Sequence, residues 1–129
     1  MRRLLTAVAV LAARAPDREV PIASITKLMT VLVALEHHRL SDVVTVDARA
    51  AAVGESTIGL RAGEQLTVRD LVQAALIQSA NDAADALALS VAPDFESFAR
   101  LMNAKARRLG LNPGLHPTAL FIGEKIRLA

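Results

Sequence analysis

The 129-residue chain contains no cysteine, no tryptophan and no tyrosine, and only three phenylalanines. Without cysteine the chain has no disulfide framework, no thiolate metal site and no cysteine nucleophile. Without Trp and Tyr it lacks most of the stacking groups that single-stranded nucleic acids use. Hydrophobic residues make up 53% of the chain, which is too many for a disordered composition. The sequence therefore predicts one small, aliphatic, mainly helical domain.

The charges are distributed unevenly along the chain. Residues 1–15 carry three cations, residues 16–93 carry six cations against ten anions, and residues 94–129 carry six cations against three anions. Although the net charge of the chain is +2, residues 16–93 carry a net negative charge. A surface that follows a phosphate backbone needs clustered cations, so we predict no nucleic-acid partner.

The first fifteen residues have the pattern of a secretory signal. Arg2 and Arg3 precede a short apolar run, residues 4–13, and Ala13 and Ala15 have the spacing of a cleavage site. The run is too short for a stable membrane anchor. We therefore expect a signal peptide over residues 1–15 and export to the periplasm or cell envelope. The alternative is an ordinary buried helix.

Periodicity predicts four helices separated by short extended segments. Apolar residues at helical spacing predict a helix from Ser24 to His37, and the β-branched run 43–46 predicts a strand. Residues 58–66 predict an extended segment turned by glycines. Three more helices are expected. Thr67 together with Asp70 caps the first of them. Asn81 or Asp82 caps the next, which reaches about Val91, and Asp94 caps the last, which reaches Gly110. Residues 112–129 show no period and predict an irregular tail.

Two short motifs could carry chemistry. Ser24 and Lys27 are three residues apart at a predicted helix start, so hydroxyl and amine share one face. A serine becomes a nucleophile when a base takes its proton, and a lysine can be that base when burial or a helix dipole depresses its pKa. Ser79 and Asn81 flank Ala80 at the junction of two predicted helices. The alternative interpretation makes Ser24, Ser79 and Asn81 helix caps and Lys27 a solvated lysine.

The order of these motifs resembles the serine D-alanyl-D-alanine carboxypeptidases, the low-molecular-mass penicillin-binding proteins related to serine β-lactamases. The resemblance covers about residues 20–111. The segments that carry it are Pro21–Thr30, Val53–Ser56, Leu60–Glu64, Thr67–Val72, Ser79–Ala84, and Phe98–Asn103 with Leu109–Gly110.

The resemblance implies both a fold and a reaction. It implies the helical subdomain of the β-lactamase and transpeptidase α/β fold, mainly α with short β segments, over residues 16–111. The family removes the terminal D-alanine from peptidoglycan stem peptides through an acyl-serine intermediate and is trapped covalently by β-lactams. Carried onto this chain, Ser24 is the nucleophile, Lys27 is the general base, and Ser79 and Asn81 form the second side of the cleft. No cofactor or metal ion is implied.

The chain also departs from the family pattern. It contains no Lys-Thr-Gly, the motif of a later strand that binds the substrate carboxylate and supplies the second oxyanion N–H. Only residues 16–20 lie between the predicted signal segment and Pro21, where the family has two strands, and residues 112–115 resemble the family's Asn-Pro-x-Gly-Leu in altered order. Ala80 stands where class A β-lactamases have Asp, which favours a carboxypeptidase. We therefore expect a truncated relative with most of the sheet missing, and the alternative is a catalytically inactive helical fragment with a structural or interaction role.

The other polar candidates have ordinary interpretations. His37 and His38 are predicted to interact with the carboxyl end of the first helix in preference to a metal ion. Glu36, Asp70 and Asp82 are interpreted as charges at helix ends or on the surface.

Overall fold

The computed structural model describes residues 22–54 and 56–110, with side chains from Thr26 onward. The predicted signal segment, residues 1–15, and the predicted tail, residues 112–129, lie outside the described residues. Within the described part the elements are α1 (Ile22–His37), β1 (Val43–Thr45), α2 (Ala48–Ala51), β2 (Gln65–Thr67), α3 (Val68–Ile77), α4 (Asn81–Val91) and α5 (Phe95–Arg108). This confirms the predicted class, mainly α with short β segments.

Helix α1 lies at the centre of the packing and contacts α3, α4 and α5. Its residues from Thr26 to Leu35 are buried, apart from half-buried Leu28. One set of its side chains, Val31, Ala34 and Leu35, enters a core cluster with α3 and α4. Another set, Met29, Leu32 and Val33, packs with α5. From Met29 onward, α1 is thus held by helices on more than one side.

Strands β1 and β2 form a short antiparallel pair, with Val44 opposite Leu66. The predicted extended segment 58–66 is a strand only near its end, because β2 begins at Gln65. A turn comes before it, in which the backbone N–H of Glu64 donates to the carbonyl of Arg61 at 3.1 Å. Gly63, at φ +84°, occupies the position of this turn where a Cβ would be strained.

The predicted caps of α3 and α5 are confirmed. The Thr67 hydroxyl accepts from the N–H of Asp70 at 3.2 Å, and the Asp94 carboxylate accepts from the N–H of Ser97 at 2.7 Å. The hydrogen bond from the Ser97 backbone also lowers the pKa of Asp94 below its ordinary value. Helix α5 ends at Arg108, and Gly110 follows at φ +79°.

The predicted side-chain cap of α4 is wrong. The N-cap residue is Ala80, which has no side-chain cap, and Asn81 and Asp82 already lie in the first turn. Asp82 is also not a surface charge, because it is 1% exposed. Its carboxylate instead binds backbone N–H groups of an earlier loop, which decides its orientation.

Short helix α2 was not predicted from the sequence. The Asp47 carboxylate caps it by accepting from the N–H of Arg49 at 2.8 Å, and the Arg49 guanidinium reaches the Pro93 carbonyl at 2.9 Å. Hydrogen bonds from Arg49, first from its side chain and then from its backbone, lower the pKa of Asp47. These contacts connect α2 with the start of α5. Among the described helices, none has the length and apolarity needed to cross a membrane.

Replacing Thr67 with alanine is expected to lower the free energy of unfolding by about 1 kcal/mol, since the Asp70 N–H loses its acceptor. Urea unfolding followed by circular dichroism measures the change. Thr67→Ser keeps the hydroxyl and serves as the control. A loss in Thr67→Ser equal to that in Thr67→Ala would assign the effect to the missing methyl group.

Candidate active site

Helix α1 carries the first pair of predicted site residues. Because α1 begins at Ile22, the backbones of Ser24 and Lys27 are both helical and lie one turn apart on the same face. The Ser24 side chain lies outside the described side chains. The Lys27 side chain is buried, with 4% exposure, although lysine is rarely buried without polar partners.

The turn between α3 and α4 carries the second pair. Ser79 follows Gln78, the last capping residue of α3, and has a left-handed backbone at φ +53°. This conformation lets the N–H of Ala80 donate to the Ala74 carbonyl at 3.0 Å, which closes the end of α3. Ala80 itself is 1% exposed and anchors the turn, whereas Ser79 is exposed. The turn therefore holds the Ser79 hydroxyl at the protein surface.

A hydrogen bond joins the two motifs. The Lys27 Nζ donates to the Ser79 Oγ at 3.2 Å, across 52 residues of sequence. One partner is buried and the other is exposed, so the pair lies where the core meets solvent. The structure thus brings Lys27 and Ser79 together, and the solvated-lysine interpretation of Lys27 is wrong because the side chain is buried.

Asn81 lies two residues after Ser79, as the first residue of α4. Its side chain is half-buried and its amide oxygen is buried. Its backbone N–H donates to the Ser56 carbonyl at 2.7 Å, so the turn is joined to the loop before β2. Ser56 also has a left-handed backbone, at φ +48°.

Sequence reasoning missed the involvement of Ser56 and Asp82 in this region. Ser56 lies in the loop before β2 and Asp82 in the first turn of α4. Both fall in segments that carry the family resemblance, but neither shows a periodic signal for this role. One further signal in the sequence is that Asp82 stands in a helix of small apolar residues, where a buried carboxylate needs several donors.

The two described histidines, His37 and His38, lie away from these motifs. His37 Nδ1 donates to the Val33 carbonyl at 2.9 Å in the last turn of α1. His38 hydrogen bonds to Asp42 Oδ2 at 3.3 Å and to Ser90 Oγ at 3.0 Å, and Asp42 has a lowered pKa, first through the Arg39 backbone N–H and further through His38. Among the described residues, no three His, Asp or Glu side chains form a group suited to a metal ion.

The sequence matches one known protein family over most of its length. A sequence profile of a family described as D-alanyl-D-alanine carboxypeptidase matches residues 5–118. The matched region includes Ser24, Lys27, Ser79 and Asn81.

Individual relatives agree with the family match. The chain is 39% identical over 94 residues to D-alanyl-D-alanine carboxypeptidase DacF of Bacillus subtilis, covering 69% of this chain and 24% of that protein. It is 42% identical over 113 residues to D-alanyl-D-alanine carboxypeptidase DacC of Escherichia coli, covering 79% of this chain and 28% of that protein. It is 39% identical over 104 residues to a D-alanyl-D-alanine endopeptidase of Pseudomonas aeruginosa, covering 79% and 34%. The chain therefore spans about a quarter to a third of the length of these relatives.

Proposed function

Because the chain belongs to the D-alanyl-D-alanine carboxypeptidase family, we propose that it acts as an exported serine peptidase that removes the terminal D-alanine from peptidoglycan stem peptides. The observation that carries the proposal is the Lys27–Ser79 hydrogen bond, which joins the two motifs at the boundary between core and solvent. The partners follow from it: stem peptides ending in D-Ala-D-Ala as substrates, and β-lactams as covalent inhibitors. The compartment proposed is the periplasm or cell envelope.

Ser24 is the proposed nucleophile and Lys27 its base. The Lys27 amine takes the hydroxyl proton as the Ser24 oxygen bonds to the carbonyl carbon of the penultimate D-alanine. The peptide C–N bond then breaks, the proton passes to the leaving amine, and water later hydrolyses the acyl-serine. The one-turn separation of the two residues on α1 supports this pairing.

Ser79 and Asn81 form the proposed second side of the cleft. Ser79 accepts a hydrogen bond from Lys27, so its hydroxyl can carry a proton between the amine and the leaving group. The turn that holds both residues is closed by backbone hydrogen bonds from Ala80 and Asn81. A turn fixed in this way orients its side chains before substrate binds.

A covalent label tests the proposed function. The 129-residue chain is incubated with a fluorescent penicillin and analysed by intact mass, with heat-denatured protein as the control. Acylation by a β-lactam opens the ring and adds the whole mass of the drug. Trypsin then releases residues 19–27, in which Ser24 is the only serine and Thr26 the only other hydroxyl.

The presence and position of the adduct test the proposed function. An adduct on residues 19–27, assigned to Ser24 by fragmentation, supports the acyl-serine mechanism. An adduct on another peptide contradicts Ser24 as the nucleophile. The absence of any adduct from soluble, helical protein contradicts the proposed function and favours the inactive fragment.

A further inference from the structure

The carboxylate of Asp82 is buried and accepts backbone hydrogen bonds from two separate segments. Both of its oxygens accept from the N–H of Ile58 at 3.2 Å. One oxygen also accepts from the N–H of Leu60 at 3.0 Å, and the other from the N–H of Ala83 at 2.9 Å. The first two donors precede it by 24 and 22 residues. A side chain that is 1% exposed therefore binds a distant loop through that loop's main chain.

The loop that Asp82 binds, residues 56–60 (loop 56–60), is exposed over most of its length. Ser56, Thr57, Ile58 and Gly59 are exposed, and Leu60 alone enters the core, at 6% exposure. Few apolar contacts besides that of Leu60 hold such a loop, so hydrogen bonds to a buried acceptor contribute strongly to its position. The Asp82 carboxylate is that acceptor, and it binds the N–H groups of Ile58 and Leu60.

The same loop contacts the proposed site. The Ser56 carbonyl accepts from the N–H of Asn81 at 2.7 Å, one residue before Asp82. Residues Asn81 and Asp82 thus fasten the loop at two points, one by the backbone and one by the carboxylate. Any movement of the loop changes the surroundings of the turn that holds Ser79 and Asn81.

Backbone strain lies on both sides of this contact. Ser56 and Ser79 are the described residues other than glycine that have positive φ, at +48° and +53°. A residue with a Cβ keeps this conformation only where the surrounding structure imposes it. The Asn81–Ser56 hydrogen bond constrains the backbone at Ser56, and the Ala80–Ala74 hydrogen bond constrains it at Ser79, while Asp82 holds the residues that follow Ser56.

We propose that Asp82 is a positioning residue, which holds loop 56–60 against the turn that carries Ser79 and Asn81 and so fixes these two side chains for acylation of Ser24. The proposal rests on the proposed function and deepens it. Asp82 acts through the loop and the turn, and no proton is transferred to or from it.

The test replaces Asp82 with asparagine in the 129-residue chain. The amide has the shape of the carboxylate, but its NH2 group faces backbone N–H donors and cannot accept from them. We expect hydrogen exchange at the amides of Ile58 and Leu60 to become at least about tenfold faster, relative to amides of α1. The maximal rate of penicillin acylation should fall by about tenfold, with the affinity of the initial complex changed less than about threefold.

Two further variants separate positioning from folding. Asp85→Asn removes another carboxylate of α4 with 2% exposure and should leave the relative exchange of Ile58 and Leu60 unchanged. Asp82→Glu keeps a carboxylate in place, so it retains the acceptor if Asp82→Asn fails to fold. It should restore most of the protection of the two amides and part of the acylation rate.

The outcomes distinguish this proposal from the proposed function. Faster exchange at Ile58 and Leu60 with an unchanged acylation rate overturns the positioning role, and so does unchanged exchange in Asp82→Asn. If the wild-type chain forms no adduct, the proposed function fails by itself. The amide chemical shift of Ser79 then decides the role of Asp82, because a signal that does not move in Asp82→Asn overturns it.

Discussion

Replacing Lys27 with methionine is expected to lower the rate of Ser24 acylation by about a thousandfold, the usual contribution of a positioned general base. The substitution removes the amine that takes the serine proton in the proposed mechanism. It also removes the donor that contacts Ser79 Oγ at 3.2 Å. The other lysine among the described residues, Lys105, is paired with Glu36 at 3.6 Å.

The fold should survive this substitution. Lys27 is 4% exposed, and a buried amine loses favourable hydration that methionine never had. Methionine has a similar length and fills irregular space in a core. The exposed Ser79 hydroxyl can hydrogen bond to water in place of the amine. The urea midpoint of Lys27→Met is therefore expected to lie close to that of the wild type.

The comparison needs a lysine outside the site. Lys105 on α5 lies 3.6 Å from Glu36 in an ion pair near the surface, so Lys105→Met serves as the control. Labelling rates with fluorescent penicillin are measured for both variants beside their circular dichroism spectra. A folded Lys27→Met protein that is acylated at the wild-type rate would show that another group takes the proton from Ser24.

The helices were predictable because their signals are local. The Thr67 hydroxyl and the Asp94 carboxylate each bond to an N–H three residues further along the chain. Such caps depend on a few neighbouring residues, as does the apolar spacing that predicted α1. For this reason the predicted starts of α3 and α5 agree with the structure, whereas α1 begins two residues before the predicted Ser24.

The orientation of Asp82 could not be predicted from such local signals. Helical position alone suggests a cap or a surface charge, but the carboxylate binds the N–H groups of Ile58 and Leu60. Those donors belong to a loop whose path depends on the β1–β2 pairing and on the burial of Leu60. A contact across more than twenty residues has no periodic signature, so the sequence predicts the residue and not its role.

The candidate site falls between these two cases. Residue spacing alone predicts that Ser24 and Lys27 share a helix face, and the helical backbone of α1 agrees. The approach of Ser79 to Lys27 came from the resemblance to a family, because 52 residues separate them. The roles of Ser24, Lys27, Ser79 and Asn81 are predictions, and the covalent label tests that of Ser24.

Replacing Phe98 with alanine is expected to remove about 3–5 kcal/mol of stability, the usual cost of truncating a fully buried Phe. Phe98 lies on α5, is 0% exposed, and packs in the cluster that contains Met29 and Leu32 of α1. The total free energy of unfolding of a small domain is about 5–15 kcal/mol, so a large share of the variant molecules is expected to unfold at 37 °C. Urea unfolding at 15 °C measures the loss where the variant is still folded.

The control is Phe95→Ala, because Phe95 lies three residues earlier on the same helix and is only half-buried. It should cost less than half as much, since less apolar area returns to water. The acylation rate connects this prediction with the site. Helix α1 carries both Ser24 and Phe98's partners in the core, so any acylation of Phe98→Ala should fall in step with the folded fraction. Acylation that outlasts the loss of helicity would mean that the reactive serine does not depend on the packing of α1 against α5.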